Sequence, residues 1–362
     1  MSEGATLITG GTGFIGSNLA MSLMERGEDV VLFDRDYDLR RLSGFGERFK
    51  KVQNKFTFVQ GDLSHFSHVL ALFDIHKPKS VYHLGALLSA GAEANVTAGF
   101  ETDIVGTKNV LEAARLYCQH NGLSPVKVLF PSTIASFGEH ILDAQKNNVP
   151  NESAQFPTTI YGVAKLASER LGEYYHRRQW VDFRGLRFPS VIGASRGPGG
   201  TTVYSTLMVQ LPARGKSYDV YVSEGRRLAI LYIKDAVAAL MALHDADATK
   251  LGSSDASMRR VFNLRGIVGK DNLPPTAQQI ADAVVNSKAS NVNIQSNQIT
   301  FNKDEAMEAT VGGFGILDDS IAHKEWLATR VLKYLDLQTA VDDFIKETQA
   351  FPLRIKRLEL FG

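Results

Sequence analysis

The chain has 362 residues, with 40 Lys+Arg against 39 Asp+Glu and a formal net charge of +1. Without an excess of either sign, no global field draws it to nucleic acid or to an anionic membrane, so neither is expected as a partner. A composition 44% hydrophobic and 22% charged excludes a disordered chain, and the single cysteine, Cys118, excludes an intramolecular disulfide, a cysteine-built zinc site and a CxxC redox pair.

The N-terminal run MSEGATLITGGTGFIGSNLA has no basic segment before its apolar residues, and glycines interrupt it. It is not the pattern of a signal peptide, and the expected location is the cytoplasm. Ala5–Thr9 then reads as a short strand, followed by a glycine cluster and a helix over Phe14–Met24. Further short strands follow at Asp29–Phe33, Phe56–Gln60, Ser80–Leu84 and Val126–Phe130. Helical patterns lie between them, clearest over Thr107–Tyr117 and Ala164–Arg178. Strands alternating with helices predict right-handed βαβ units and a parallel sheet covered on both faces.

Beyond residue 186 the rhythm loosens. Gly197–Thr202 reads as a loop, Ile233–His244 and Thr276–Val285 as amphipathic helices, and Val261–Leu264 as a strand between them. Ser287–Thr300 is rich in Asn, Ser and Gln and reads as a surface connection. The predicted architecture is α/β: a Rossmann doubly wound parallel sheet over residues 1–185, with a smaller C-terminal α/β lobe for substrate over 186–362. Some elements of that second half are expected to return to the first domain.

Gly10, Gly13 and Gly16 space a GxxGxxG loop between the first strand and the first helix. The first glycine permits a tight turn, the second lets backbone approach a pyrophosphate, and the third lets helix and strand pack closely. The helix N-terminus behind Phe14 and Ile15 presents free N–H groups to the phosphates. Asp34 ends the second strand, eighteen residues beyond Gly16. A carboxylate there accepts from the adenosine ribose and repels a 2′-phosphate, which favours NAD over NADP. Arg35 offsets part of that repulsion, and a turn-capping role is the alternative for Asp34. Asp62 and Leu63 follow the third strand and belong near the adenine.

Tyr161 and Lys165 form a YxxxK pair, one helical turn apart on one face. A tyrosine titrates near pH 10, too high for a base at neutral pH, and a neighbouring ammonium favours the phenolate. The same lysine is placed to hold the nicotinamide ribose. The fifth strand runs into Ser132 and Thr133, hydroxyls at a carboxyl end, where open parallel sheets bind their ligands. Thr133, with Ser132 as the second choice, is the candidate partner of a substrate hydroxyl. No His/Asp/Glu spacing points to a metal.

These residues resemble the extended short-chain dehydrogenase/reductase superfamily, its NAD-dependent epimerase/dehydratase group. Thr9–Gly16 matches its TGGxGFIG opening, His83–Ala86 resembles HLAA, Gly106–Ala114 matches GTxNVLEAA, and Tyr161–Lys165 matches YGxSK with Ala164 in place of serine. The resemblance implies that Tyr161 is the proton-transferring acid/base, Lys165 its partner and Thr133 the substrate ligand. It also implies that Gly10, Gly13, Phe14, Ile15, Gly16, Asp34, Asp62, Leu63, Leu84, Ala86 and Lys165 hold NAD. Asp103 stands where the group often has Asn. Within the superfamily the chain is most similar to the short-chain-type L-threonine 3-dehydrogenases, through Leu87–Asn95, Pro131–Gly138, Pro198–Tyr204 and Leu317–Trp326. That likeness adds Ser89, Thr201 and Thr202 to Thr133, Ser132 and Tyr161 as substrate contacts. It also implies a homodimer built on the helices at 106–117 and 164–178.

Ser190 departs from those enzymes, which have Gly there, and Ala229–Ile233 replaces their PMMYM segment. Ala92–Asn95 and Val181–Arg187 are similar to sugar-acid dehydrogenases of the D-erythronate type. The expected function is therefore NAD-dependent oxidation of a small polar secondary alcohol, L-threonine first. The alternatives are a sugar acid, or a nucleotide-sugar epimerase or dehydratase. Against the epimerase, Ser190 and Leu228 replace the asparagine and arginine with which such enzymes grip a diphosphate. A sensor that binds NAD without chemistry is disfavoured because both Tyr161 and Lys165 are present. Arg187, within a strand, reads as structural, which leaves Arg196 as the other arginine available to a carboxylate. Cys118 reads as a buried inert thiol, His83 as a hydrogen-bonded strand residue, the basic end of Tyr174–Arg178 as a solvated helix terminus, and Trp326 as an anchor of the second lobe.

Overall fold

The computed structural model of the protein describes residues 4–138, 147–253, 259–311, 315–327 and 334–350. The start of the N-terminal run, residues 1–3, lies outside them. Seven strands form one sheet: β1 (Thr6–Thr9), β2 (Val30–Asp34), β3 (Phe56–Gln60), β4 (Ser80–His83), β5 (Lys127–Thr133), β6 (Asp182–Phe188) and β7 (Val261–Asn263). All pairs are parallel, in the order β7-β6-β5-β4-β1-β2-β3. The chain leaves β1 toward β2 and β3, then crosses back to β4 on the other side. Such a reversal opens a crevice at the carboxyl ends of the strands. Thr9 pairs with both Phe33 and His83, so β1, β2 and β4 finish level at that crevice.

Both faces of the sheet are dry except at the edge strand β3, where Thr57 and Gln60 are exposed, which is why the inner strands read as continuous apolar runs. Leu7, Val31, Val81 and Val128 point to one side, where α2 (Phe66–His76), α3 (Gly106–Asn121) and α4 (Ile160–Arg177) cover them with Leu72, Phe73, Val110, Leu111 and Tyr175. Ile8, Leu32, Tyr82 and Leu129 point to the other, under α1 (Phe14–Glu25) and α5 (Ile233–Asp245) with Leu19, Leu23, Ala236 and Leu240. His83 is buried between the Thr9 and Thr107 hydroxyls at 2.8 and 3.0 Å, and burial pulls its pKa down to about 3, so the ring is neutral. Cys118, on α3, is buried in the same layer, and burial raises its pKa.

The structure moves several expected boundaries. β5 runs on to Thr133, three residues past the expected end, with Pro131 inside it. Register with β4 stops at Tyr82↔Leu129, so Pro131 sits beyond the end of β4, where its missing N–H breaks no ladder. The helix expected at Ala164 begins at Ile160 because Thr159 caps it, accepting from the Gly162 N–H at 3.0 Å. That places Tyr161 in the first turn. A π-helical turn, Phe100–Val105, precedes α3 and carries Asp103.

The later half of the chain is not a separate layer throughout. β7 joins the main sheet beside β6, and α5 packs beside α1. Short parallel pairs lie outside the main sheet: Ser190–Ile192 with Ile230–Tyr232, Tyr218–Val220 with Ile299–Phe301, and Asn148–Val149 with Ile316–Leu317. Trp326 is buried and meets Phe262 of β7 edge-on, with ring centroids 5.9 Å apart.

Candidate active site

The glycine loop folds as tightly as its spacing requires. Gly10 has φ +66°, and a Cβ there would stand 2.7 Å from the Gly85 nitrogen, so this loop and the chain leaving β4 touch backbone to backbone. A Cβ on Gly16 would stand 2.2 Å from the Gly10 oxygen, closing helix against loop. Gly13 differs: its Cβ would meet the Gly10 oxygen at 3.1 Å and nothing else within 4 Å. Its outer side is open, as a surface for a diphosphate must be. Gly13 is the N-cap of α1 and contributes no side-chain bond, which leaves the first-turn N–H groups of Phe14, Ile15 and Gly16 to a ligand. The cradle therefore fits a dinucleotide.

Asp34 ends β2 beside this loop. Its Oδ2 accepts from the Thr12 N–H at 3.1 Å and the Thr12 hydroxyl at 2.7 Å, and its Oδ1 from the Arg35 N–H at 2.8 Å. It ties the turn, and a carboxylate with about four acceptor sites keeps room for ribose hydroxyls. Asp62 Oδ1 accepts from the Ser64 N–H and hydroxyl, both at 2.8 Å. The Leu63 side chain lies under Gly85, and Leu84 donates its N–H to the Thr9 oxygen at 3.1 Å; half-buried Ala86 follows. Asn109 of α3 holds this rim from below, donating to the Leu63 and Ser64 oxygens at 2.8 and 3.1 Å. Asn109 lies inside the GTxNVLEAA stretch, where its motif position was the signal for a role that sequence reasoning did not assign.

The second group gathers where α4 starts against the end of β5. A Cβ on Gly162 would stand 2.5 Å from the Ala135 oxygen, so Tyr161 rides directly over the turn that follows Thr133. The Thr133 hydroxyl accepts from the Ala135 N–H at 3.2 Å and keeps its own proton to donate. Lys165 is buried, its Nζ 5.6 Å from the Tyr161 ring centre and 4.5 Å from that of Phe130, and it donates to the Pro131 oxygen at 2.9 Å. Ser132 does not join them. Its hydroxyl donates to Glu169, inside a buried network in which Arg187 and Glu169 pair at 2.7 Å and Arg187 also holds the Asn151 oxygen at 2.8 Å. Successive strand residues face opposite sides, so with Thr133 at the crevice Ser132 turns to the core. The expectation for Ser132 as a substrate ligand is corrected on that ground. Arg187 is structural, as its strand position indicated.

The electrostatics also correct an expectation. Burial raises the Tyr161 phenol above its ordinary pKa, the Asp103 carboxylate adds to the rise, and Arg196 opposes it. The Lys165 ammonium is drawn to Pro131 rather than to the phenol, and burial lowers its own pKa to about 8 against the pull of Asp103 and Glu169. Tyr161 therefore rests as a neutral phenol in the protein alone. Asp103 is buried and raised to about 6, first by burial; its Oδ1 accepts from the Leu87 N–H at 2.6 Å.

Ser89 opens a short helix, Ser89–Ala94, whose Glu93 accepts the Ile160 N–H at 2.7 Å and so ties it to α4. Thr202 Oγ1 lies 2.7 Å from Ser190 Oγ and 3.2 Å from Arg196 Nη2. The Thr201 oxygen accepts from Tyr221 at 2.7 Å. Among the described residues, no cluster of His, Cys, Asp and Glu could hold a metal, and no helix is long and apolar enough to cross a membrane.

The model of the NAD dependent epimerase/dehydratase family matches residues 6–255. The chain is 31% identical over 329 residues to the protein of Sus scrofa named L-threonine 3-dehydrogenase, mitochondrial, covering 88% of this chain and 77% of that one. Among solved structures, the L-threonine dehydrogenase from Clostridium difficile superposes with a TM-score of 0.78 at 27% identity, over 96% of this chain and 99% of the other. The GalE-like L-threonine dehydrogenase from Cupriavidus necator, in its holo form, superposes with a TM-score of 0.76 at 28% identity, over 94% and 99%. Family match and fold agree: the chain belongs to the NAD dependent epimerase/dehydratase family and is an NAD-dependent oxidoreductase of the short-chain dehydrogenase/reductase type.

Proposed function

We propose that the protein oxidises the secondary hydroxyl of a small polar substrate, L-threonine before others, to the ketone. The observation that carries this reading is the first turn of α4, with Tyr161 and Lys165, packed on the turn that follows Thr133 at the carboxyl end of β5, in the sheet whose β1 runs into the Gly10–Gly16 loop. NAD, held by that cradle and Asp34, supplies the redox chemistry. The chain positions the alcohol and handles its proton. Thr133 donates to the substrate oxygen and fixes it opposite Tyr161. Tyr161, resting as a phenol, is ready to protonate an alkoxide in the direction of ketone reduction. For oxidation it must first pass its own proton on, and Lys165, with a pKa near 8 and Asp103 behind it, is the adjacent group able to exchange one close to neutral pH. From L-threonine the product would be 2-amino-3-ketobutyrate.

The nucleotide-sugar reading loses support at positions 190 and 228. Leu228 is buried in the core and Ser190 is bonded to Thr202, so neither position offers a diphosphate a cation. A homodimer is part of the proposal. Val163 and Tyr174 stand exposed three turns apart on α4, and Phe100 stands exposed at the head of α3, which is an apolar strip suited to a second copy. Sedimentation velocity tests it: a monomer at all concentrations rejects the dimer. A cytoplasmic location is supported by the lone, buried Cys118, which suits a reducing compartment, and is tested by cell fractionation.

The deciding experiment follows NADH formation with purified protein, NAD and L-threonine, beside D-erythronate and other small hydroxy acids. Turnover on L-threonine is expected. Turnover only on another acid would move the substrate, and no turnover with NAD retained after purification would favour the epimerase.

A further inference from the structure

Near Tyr161 stands a guanidinium that has no counter-ion among the described residues. Arg196 Nη1 donates to the Ser190 hydroxyl at 3.1 Å, the Val191 oxygen at 2.8 Å and the Thr206 hydroxyl at 3.4 Å, and Nη2 donates to the Thr202 hydroxyl at 3.2 Å. All four are neutral. Arg184 and Arg187 each have a carboxylate, Asp182 and Glu169, whereas Arg196 has none among the described residues. Burial without a paired anion pulls its pKa down to about 10. A charge drawn out of water and left unpaired is expensive to keep unless an anion completes the site.

The geometry also leaves that anion a place. Nη2 carries two hydrogens, of which Thr202 takes one. The point where Gly200 would carry a Cβ is 3.7 Å from Arg196 Nη2 and 3.7 Å from Ser89 Oγ, with no third atom within 4 Å. Gly200 has φ +100°, a conformation that side chains disfavour, so the gap between Ser89 and Arg196 stays open. The same guanidinium acts on the Tyr161 phenol, so the gap and the reacting hydroxyl belong to one small site.

The geometry points to Arg196, with Ser89 beside it, as the anchor of a substrate carboxylate, which makes this enzyme selective for small hydroxy acids over neutral alcohols. This rests on the dehydrogenase reading above. Ser190 and Thr202, bonded to each other and both to Arg196, hold the guanidinium fork at one angle. The carboxylate anchored there and the hydroxyl at Thr133 and Tyr161 fix a short substrate at two points, as a single reactive orientation demands.

The test compares L-threonine with L-threoninamide, and D-erythronate with its amide, in the NAD-loaded wild type, Arg196→Lys and Arg196→Met. In the wild type, kcat/KM should favour each acid over its amide by about 10–100-fold, the range of a hydrogen bond to a charged group. Arg196→Met should abolish that preference, chiefly by raising KM for the acid, and any change in kcat should fall equally on acid and amide. Arg196→Lys should restore part of it, because it keeps the charge but not the fork. A merely structural role would lower acid and amide alike and leave their ratio unchanged, and that result overturns the proposal, as does a wild type indifferent to acid or amide. If the wild type oxidises none of these alcohols, calorimetric binding of L-2-aminobutyrate, which has no hydroxyl to oxidise, separates the two readings. Binding lost in Arg196→Met upholds the anchor although the dehydrogenase reading fails; absence of binding to the wild type overturns the anchor.

Discussion

Glu93 accepts the backbone N–H of Ile160 at 2.7 Å, across 67 residues of chain. This bond joins the short helix that begins at Ser89 to the first turn of the helix that carries Tyr161. The proposed substrate contact and the proposed proton donor therefore share one frame. Glu93→Ala should raise KM by about tenfold with a smaller loss in kcat, the cost of one charge-assisted bond. Glu93→Gln keeps an oxygen acceptor and should lie near wild type. Steady-state kinetics on the two variants checks the pair.

The three glycines of the cradle should fail in different ways. Gly16→Ala drives a methyl to within 2.2 Å of a backbone oxygen and should lower stability as well as NAD binding. Gly13→Ala meets one oxygen at 3.1 Å and otherwise enters open space. That variant should fold with a melting temperature close to wild type and bind NAD at least tenfold more weakly. Thermal denaturation and titration of NAD read the two effects separately.

Tyr161→Phe removes the proton donor and leaves the ring in place. Turnover should fall by about 10²–10⁴, the span of general acid–base catalysis, while NAD affinity is unchanged. A variant that kept most of its turnover would remove Tyr161 from the mechanism.

Asp103 links stability to pH. Its folded pKa, near 6, exceeds its ordinary value, so the folded state favours the protonated form. The associated stability is present in full below about pH 4 and is lost as the pH rises through about 6, by up to about 3 kcal/mol. Asp103→Asn keeps an acceptor for the Leu87 N–H and removes the charge. It should melt higher than wild type at pH 8, with the gap closing toward pH 4. Because Asp103 raises the pKa of Lys165, the same variant should move the alkaline limb of the pH–rate profile to lower pH.

Arg187 and Arg196 should separate cleanly. Arg187→Leu strands Glu169, which is fully buried, and should cost about 3–5 kcal/mol of stability in denaturant titration. The effects of Arg196 substitutions should appear in KM and not in the denaturation midpoint to that degree.

Much of this architecture was written locally. The short apolar runs at Thr6–Thr9, Val30–Asp34, Ser80–His83 and Lys127–Thr133 are strands because both their faces are covered, and the helices between them force parallel order. The spacing of Gly10, Gly13 and Gly16 and the turn between Tyr161 and Lys165 are equally local, since a loop and one turn of helix fix their geometry wherever they occur. Other matters were decided between elements distant in sequence. Ser132 and Thr133 are adjacent hydroxyls, and the placement of Glu169 from α4 under one of them assigns Ser132 to the core and leaves Thr133 at the crevice. Arg187 and Arg196 are both arginines within ten residues, yet among the described residues the first meets Glu169 and the second only neutral groups. The direction of the Tyr161 shift reversed for the same reason. Spacing brings a lysine within one turn, but Lys165 donates to Pro131, and burial and the Asp103 charge, both products of packing, raise the phenol. Backbone periodicity is a property of neighbours in the chain, whereas solvation and ion pairing depend on whatever the fold brings alongside.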